Sequence, residues 1–211
     1  MKLTIFGATG GTGRCLVEQA LTAGHDVTAV VRDPARLPVP AQQRLHVVTA
    51  DVMDPAAIGP AVTGAEAVLS ALGPHGSGPT TVSQRGARSI VQAMQAVGAR
   101  RLLTVSGTIV TDAGEGPLMR TVVKPLVRRT LLRNVCADMR RAEDEVRGSH
   151  LDWTIIRPPR LTSKPASGSY RTAIDRNLPH AFTVRRADVA ACMLGILDDA
   201  ATVRRHVFVT G

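Results

Sequence analysis

Seven residues near the start of the chain constrain its fold more than any other stretch: Gly7-Ala-Thr-Gly10-Gly-Thr-Gly13, directly after Lys2-Leu-Thr-Ile-Phe6. Leu3, Ile5 and Phe6 read as a buried strand, while Cys15, Leu16, Ala20 and Leu21 recur at helical spacing and Gly24 ends that run. The glycines therefore occupy a strand-to-helix turn. There the N–H groups of a helix N-terminus and the positive end of its dipole face outward, as a pyrophosphate cradle requires. Gly7 allows the tight turn, Gly10 lets the backbone approach the phosphates, and Gly13 lets helix and strand pack closely. Thr9 and Thr12 add hydroxyl donors. The motif and its position point to a dinucleotide, against the competing reading of a glycine turn without a ligand.

The second strand speaks to which dinucleotide. His25-Asp-Val-Thr-Ala-Val-Val31 alternates and then turns continuously apolar, ending at Arg32-Asp33-Pro34-Ala35-Arg36. An NAD site places an acid at the end of this strand for the ribose 2′-hydroxyl. Here the place is taken by Arg32, whose guanidinium can pair with a 2′-phosphate through two parallel hydrogen bonds, and Arg36 one turn on can close over the adenine. NADP(H) is the expected cofactor. Asp33 keeps NAD open, because a one-residue shift would bring its carboxylate to the ribose.

Strand and helix signals alternate along the rest of the chain. Leu45–Thr49 leads to Asp51 and Val52, Glu66–Ser70 to Leu72 and Gly73, and Arg101–Val105 to Ser106 and Gly107. In an open sheet ligands bind outside the carboxyl ends of the strands, so these ends should line one crevice with the glycine turn. Asp51 and Val52 are then placed to meet the adenine, and Leu72 and Gly73 to pass beneath the ribose and pyrophosphate. A helix is expected from Thr81 to Val97, directing Val82, Ile90, Val91, Met94 and Val97 at the sheet. A longer excursion follows over 108–135, then a polar helix at Ala137–Gly148, a strand at Leu151–Ile156, a fixed loop at Arg157-Pro-Pro-Arg160-Leu161, and a final strand at His206–Val209 that closes the sheet. The expected architecture is one Rossmann-type α/β domain over 1–211, a doubly wound parallel sheet, with substrate-side elements at about 108–135 and 157–180.

Composition narrows the partners. Lys and Arg total 26 against 17 acids, a net charge of +9, and Arg120, Lys124, Arg128, Arg129, Arg133, Arg140 and Arg141 cluster. Such a patch can meet an anionic substrate, nucleic acid or only water. Aromatic residues make up 2% of the chain, so the stacking platform of single-strand binders is missing and nucleic acid is not expected. No apolar run approaches membrane-spanning length, and a cytoplasmic location is expected. Cys15, Cys136 and Cys192 lack CxxC spacing and the six histidines are scattered, so neither disulfides nor a metal are expected.

With these residues in hand the chain resembles the atypical short-chain dehydrogenase/reductases, in the NAD(P)H-binding group that includes the biliverdin reductase B type of flavin reductase. The resemblance rests on the glycine motif, Val31-Arg-Asp33 with Arg36-Leu-Pro38, Asp51-Val52, Pro79-Thr-Thr-Val82, Gly86-Ala-Arg88 with Ile90-Val91, Pro158-Pro159 and Gly168-Ser-Tyr170. It implies cofactor contacts from Gly7, Thr9, Gly10, Gly11, Thr12, Gly13, Arg32, Arg36, Asp51, Val52, Leu72, Gly73, Val105 and Ser106. The main branch of that superfamily uses a Tyr-x-x-x-Lys pair, whereas the one tyrosine here, Tyr170, has no lysine at that spacing. Arg160 stands where the flavin reductases carry a histidine after the proline pair, and a family serine falls on or beside Ser106.

Direct hydride transfer to a flavin, quinone or other conjugated acceptor is the expected chemistry, with a small molecule of anionic or aromatic character as partner and a monomeric or dimeric chain. Ser106 would hydrogen-bond the nicotinamide amide or the acceptor, and Arg160 would stabilise charge growing on the acceptor. A strand-end serine and a surface arginine are the competing readings. The alternative function is an NADP(H)-sensing regulator of the NmrA-like kind, which shares the glycine turn and lacks the tyrosine.

Overall fold

A computed structural model describes residues 1–74, 76, 78–111 and 132–211. The chain begins as expected: β1 (Lys2–Phe6) enters the glycine turn, and α1 (Gly11–Thr22) leaves it. Leu3 and Ile5 pack on one face of the sheet with Leu16, Val17, Ala20 and Leu21 of α1; Phe6 packs on the other. That division follows from the two-residue period of a strand. Thr4, on the Phe6 face, is fully enclosed, and its hydroxyl donates to the Ala61 carbonyl at 2.6 Å.

The remaining strands in chain order are β2 (Asp26–Val31), β3 (Leu45–Thr49), β4 (Ala67–Ser70), β5 (Arg101–Val105), β6 (Asp152–Arg157), β7 (Arg160–Thr162), β8 (Arg171–Ile174), β9 (Thr183–Arg185) and β10 (Arg205–Thr210). With β1, seven of them form one eight-stranded sheet in the order β3-β2-β1-β4-β5-β6-β10-β8; β7 and β9 pair separately. Every pairing in the large sheet is parallel except β10 with β8. The order reverses direction between β1 and β4, which opens a crevice above the carboxyl ends of those strands.

The helices α2 (Pro55–Val62), α3 (Val82–Val97) and α4 (Arg133–Arg147) cover the Phe6 face, while α1 and α5 (Arg186–Gly195) cover the other. Local chemistry starts and stops them. The Asp54 carboxylate caps α2 by accepting from Ala56 and Ala57 N–H at 3.0 and 3.2 Å, with Pro55 in the first turn. Gly98, at φ +75°, takes the left-handed conformation that ends α3. The start of α3 is capped from a distance: the buried Asp138 of α4 accepts from Ser83 and Gln84 N–H at 2.9 and 3.0 Å.

Several expectations need correction. The polar helix begins at Arg133, four residues before Ala137. The segment after β6 is not a simple loop, because Arg157 ends β6 as a buried residue and Arg160-Leu161 begins β7. The last strand does not close the sheet, since the antiparallel β8 lies outside it and satisfies its outer edge. Val97 is 37% exposed, as α3 has by then run past the sheet. The basic cluster divides: Arg133, Arg140 and Arg141 lie on the solvent face of α4, while Arg120, Lys124, Arg128 and Arg129 fall outside the described residues.

Candidate active site

The glycine turn is built so tightly that side chains are excluded from it. A Cβ on Gly13 would stand 2.0 Å from the Gly7 carbonyl oxygen, and one on Gly7, at φ +75°, would stand 2.7 Å from the Ala71 oxygen. Gly10 donates its N–H back to the Gly7 carbonyl at 2.9 Å and precedes the first residue of α1. No side chain caps that helix and no acid stands in its first turn, so its leading N–H groups are left for an anion. Gly10 and Gly11 lie at the surface of the turn; Thr9 is exposed and Thr12 buried. The cradle thus fits a pyrophosphate by its uncapped N–H groups and its dipole.

Around it the other expected contacts come together at the strand ends. Arg32 follows β2 and is exposed; Arg36 is the exposed third residue of a single 3-10 turn over Pro34–Arg36. Asp33 is occupied as the cap of that turn, its carboxylate accepting from Ala35 N–H at 3.0 Å. Two exposed guanidiniums beside a committed carboxylate suit a 2′-phosphate better than a 2′-hydroxyl. Asp51 accepts from Met53 N–H at 3.0 Å, and Val52 is half-buried behind it. Leu72 is seated by Gly86 of α3, where a Cβ would come within 2.7 Å of the Leu72 Cδ1; Gly73 is exposed beside it.

Next to this crevice opens a cavity of about 830 Å³, walled by Ile109, Val135, Met139, Pro158, Leu178 and Phe182 among others. Ser106, Arg160 and Arg186 also line it. Its wall is mostly apolar, and Phe182 is 67% exposed. Arg160 is exposed at the rim. Tyr170 does not line this cavity; it is half-buried against the core on the α5 side, and burial pushes its hydroxyl above the ordinary range. Cys15 behaves as a helix filler whose thiol burial raises, the opposite of an activated nucleophile.

Ser106 sits where expected, but its hydroxyl has an unforeseen partner. It is buried after β5 and donates to Glu143 Oε1 of α4 at 2.6 Å. The same carboxylate accepts from Arg157 Nε at 3.0 Å and from Arg157 Nη2, making a two-bond ion pair that is almost entirely enclosed. The Arg157 guanidinium also lies 5.7 Å from the centre of the Phe208 ring. Since Ser106 gives its one proton to Glu143, any group it meets in the cavity must itself be a donor. Glu143 and Asp138 were missed in the sequence because an arginine-rich amphipathic helix reads as a solvated surface, and Arg157 because it read as the start of a loop; the four-residue spacing of Met139 and Glu143 was the available signal.

Comparison with known proteins agrees with this geometry. An uncharacterized chloroplastic protein of Arabidopsis thaliana is 30% identical over 178 residues, 80% of this chain, which spans 62% of that relative's length. A ceramide reductase of Caulobacter vibrioides is 30% identical over 163 residues, 75% of this chain and 46% of the relative. Among solved structures, a short-chain dehydrogenase/reductase of Veillonella parvula in complex with NADP superimposes over 100% of this chain and 94% of its own, with TM-score 0.82 at 24% identity, a likeness of fold. A family model described as NAD(P)H-binding matches residues 7–200, from the first glycine of the turn to beyond α5, and the chain belongs to that NAD(P)H-binding family.

Proposed function

We propose that this chain is an NADPH-dependent reductase of a conjugated, largely apolar small molecule such as a quinone or flavin. The observation that carries the reading is the adjacency of the about 830 Å³ apolar cavity to the glycine turn, with Arg160 at its rim. Bound NADPH supplies a hydride. The chain's own part is chiefly to hold two flat partners in register, and orientation of that kind can account for about 7–11 kcal/mol of a barrier. Arg32 and Arg36 select the 2′-phosphate, and the neutral walls of Met139, Pro158 and Leu178 exclude water from the acceptor.

Arg160 provides a fixed positive charge where the acceptor gains electrons. Ser106 serves as an acceptor for an N–H or O–H of the bound ligands, its own proton being held by Glu143. This favours the nicotinamide amide over an electron-rich oxygen as its partner. NADPH oxidation measured across naphthoquinones and flavins tests the assignment. Arg160→Ala should lower turnover by about 10²-fold with NADPH affinity unchanged. Tight NADPH binding with no oxidation by any acceptor would overturn the reductase reading in favour of a cofactor sensor.

A further inference from the structure

Arg186 touches both the glycine turn and the apolar cavity. It opens α5, lines the apolar cavity, and lays its stem across the glycine turn. A Cβ on Gly11 would stand 2.6 Å from Arg186 Cδ and 2.8 Å from its Nε, so the guanidinium is held directly over the first residue of α1. Its positive charge acts on the Cys15 thiol one turn along that helix. Ser163 orients the far end, its Oγ accepting from Nη1 at 2.8 Å. Among the described residues no carboxylate pairs with it.

The placement runs against the electrostatics of α5 itself. The N-terminal end of a helix is its positive end, and here it carries Arg185 and Arg186 in succession. Asp188, the acid of that first turn, is turned inward and committed to Ser167, accepting from its N–H at 2.9 Å and its hydroxyl at 2.6 Å. The start of α5 is meanwhile fixed against α1 by Gln19, which donates to the Ala187 carbonyl at 2.9 Å. A cation is therefore anchored at an unfavourable helix end, above a second helix N-terminus that also presents positive charge. Two positive elements brought together without a carboxylate are stabilised by an anion between them.

We infer that Arg186 is a cofactor-binding residue that pairs with the pyrophosphate from the side of the glycine turn facing the acceptor cavity. The inference rests on the reading of the turn as an NADPH site. Arg186 then completes a cradle built from backbone N–H groups and threonine hydroxyls, and couples it to the wall of the cavity. Gly11 thereby has a reason to be glycine, since any side chain there would push the Arg186 stem away.

Calorimetric titration of the full chain with NADPH and with adenosine 2′,5′-bisphosphate tests this, because the second ligand keeps the adenine, the 2′-phosphate and one 5′-phosphate but lacks the nicotinamide-side phosphate that faces the cavity. Arg186→Met should weaken NADPH about 10- to 100-fold and leave the bisphosphate within about twofold. Arg186→Lys, which keeps the charge and loses the fork, should fall between the two proteins, and it carries the test if the methionine variant does not fold. Unchanged NADPH affinity in either variant, or an equal loss for both ligands, overturns the assignment. Failure of the unaltered protein to bind NADPH would instead overturn the reading of the turn, a distinguishable result.

Discussion

The glycine turn and the apolar cavity lie side by side, yet they are made of different material. The turn is backbone: a few residues of contiguous chain, closed by the Ala71 carbonyl, hold their shape because there is no room for anything larger. The cavity is side chain, assembled from β5's exit, the start of α4, the proline pair, the 177–182 loop and the first residue of α5. Tolerance should differ accordingly. A single added carbon at Gly7 or Gly13 destroys the first, while the second changes shape by degrees.

The strongest way to break that contrast is to substitute in the turn. Gly13→Ala places a carbon 2.0 Å from the Gly7 oxygen and should cost at least about 3 kcal/mol, seen as loss of the urea unfolding transition or a large drop in its midpoint. Gly10→Val has 3.2 Å to the same oxygen, so it should leave the fold largely intact and abolish NADPH binding by filling the phosphate space. A well-folded Gly13→Ala protein would show that the turn is softer than its geometry implies.

Cavity walls should be more forgiving except where they rest on the enclosed ion pair. Glu143→Ala leaves the Arg157 guanidinium buried without its counter-charge and frees Ser106, at a cost of about 3–5 kcal/mol by chemical denaturation. Replacing a cavity residue such as Leu178 should cost far less. Comparable losses at the two positions would mean that the cavity is as rigid as the turn.

At the rim of the cofactor crevice the expected effect is smaller and purely on binding. Arg32→Ala should remove most of the preference for NADPH over NADH, about 1.5–3 kcal/mol, or one to two decades in the ratio of calorimetric affinities. Equal affinities in the unaltered protein would sink the role of Arg32.

The smallest effect is a pH dependence far from either region. Burial, helped by the Arg157 charge, lowers the His206 pKa below 6.5, and its Nε2 is buried without a partner among the described residues. The unfolded chain therefore takes up that proton first as the pH falls. The His206 contribution to stability is present above about pH 6.5 and is lost as the pH drops toward the folded value. His25, lowered by burial and by the N-terminal ammonium, acts in the same direction. His206→Asn should flatten the acid side of the stability profile, a change of about 0.1–0.5 M in urea midpoint between pH 7 and 5.

The same contrast explains what was legible beforehand. β1, the turn, α1 and β2 follow from local pattern, because a strand period, three glycines and a helix period are all short-range signals. The positions of Arg32 and Arg36 just past β2 were legible because they follow directly from a recognisable strand. Glu143 and Arg157 were not, since they meet across a 14-residue separation that includes the end of a helix. Arg186 was hidden for the same reason: its significance lies in its nearness to Gly11, far away in the chain. The antiparallel β8 also escaped notice, being four residues of which only Ala173 is buried.

Trp153 turns one of these placements into an instrument. It is the single tryptophan of the chain, buried near the beginning of β6, with its ring 5.5 Å from that of His206 in an edge-on contact. The cavity opens beyond the other end of that strand, about 16 Å along it at the rise of an extended chain. Its emission therefore follows the integrity of the sheet, and because it overlaps the absorption of a reduced nicotinamide it also passes energy to a cofactor held at that distance. One buried indole thus serves as a folding probe in the bare chain, where a protonated His206 would dim it, and as an energy donor that reports occupancy once a reduced nicotinamide is added.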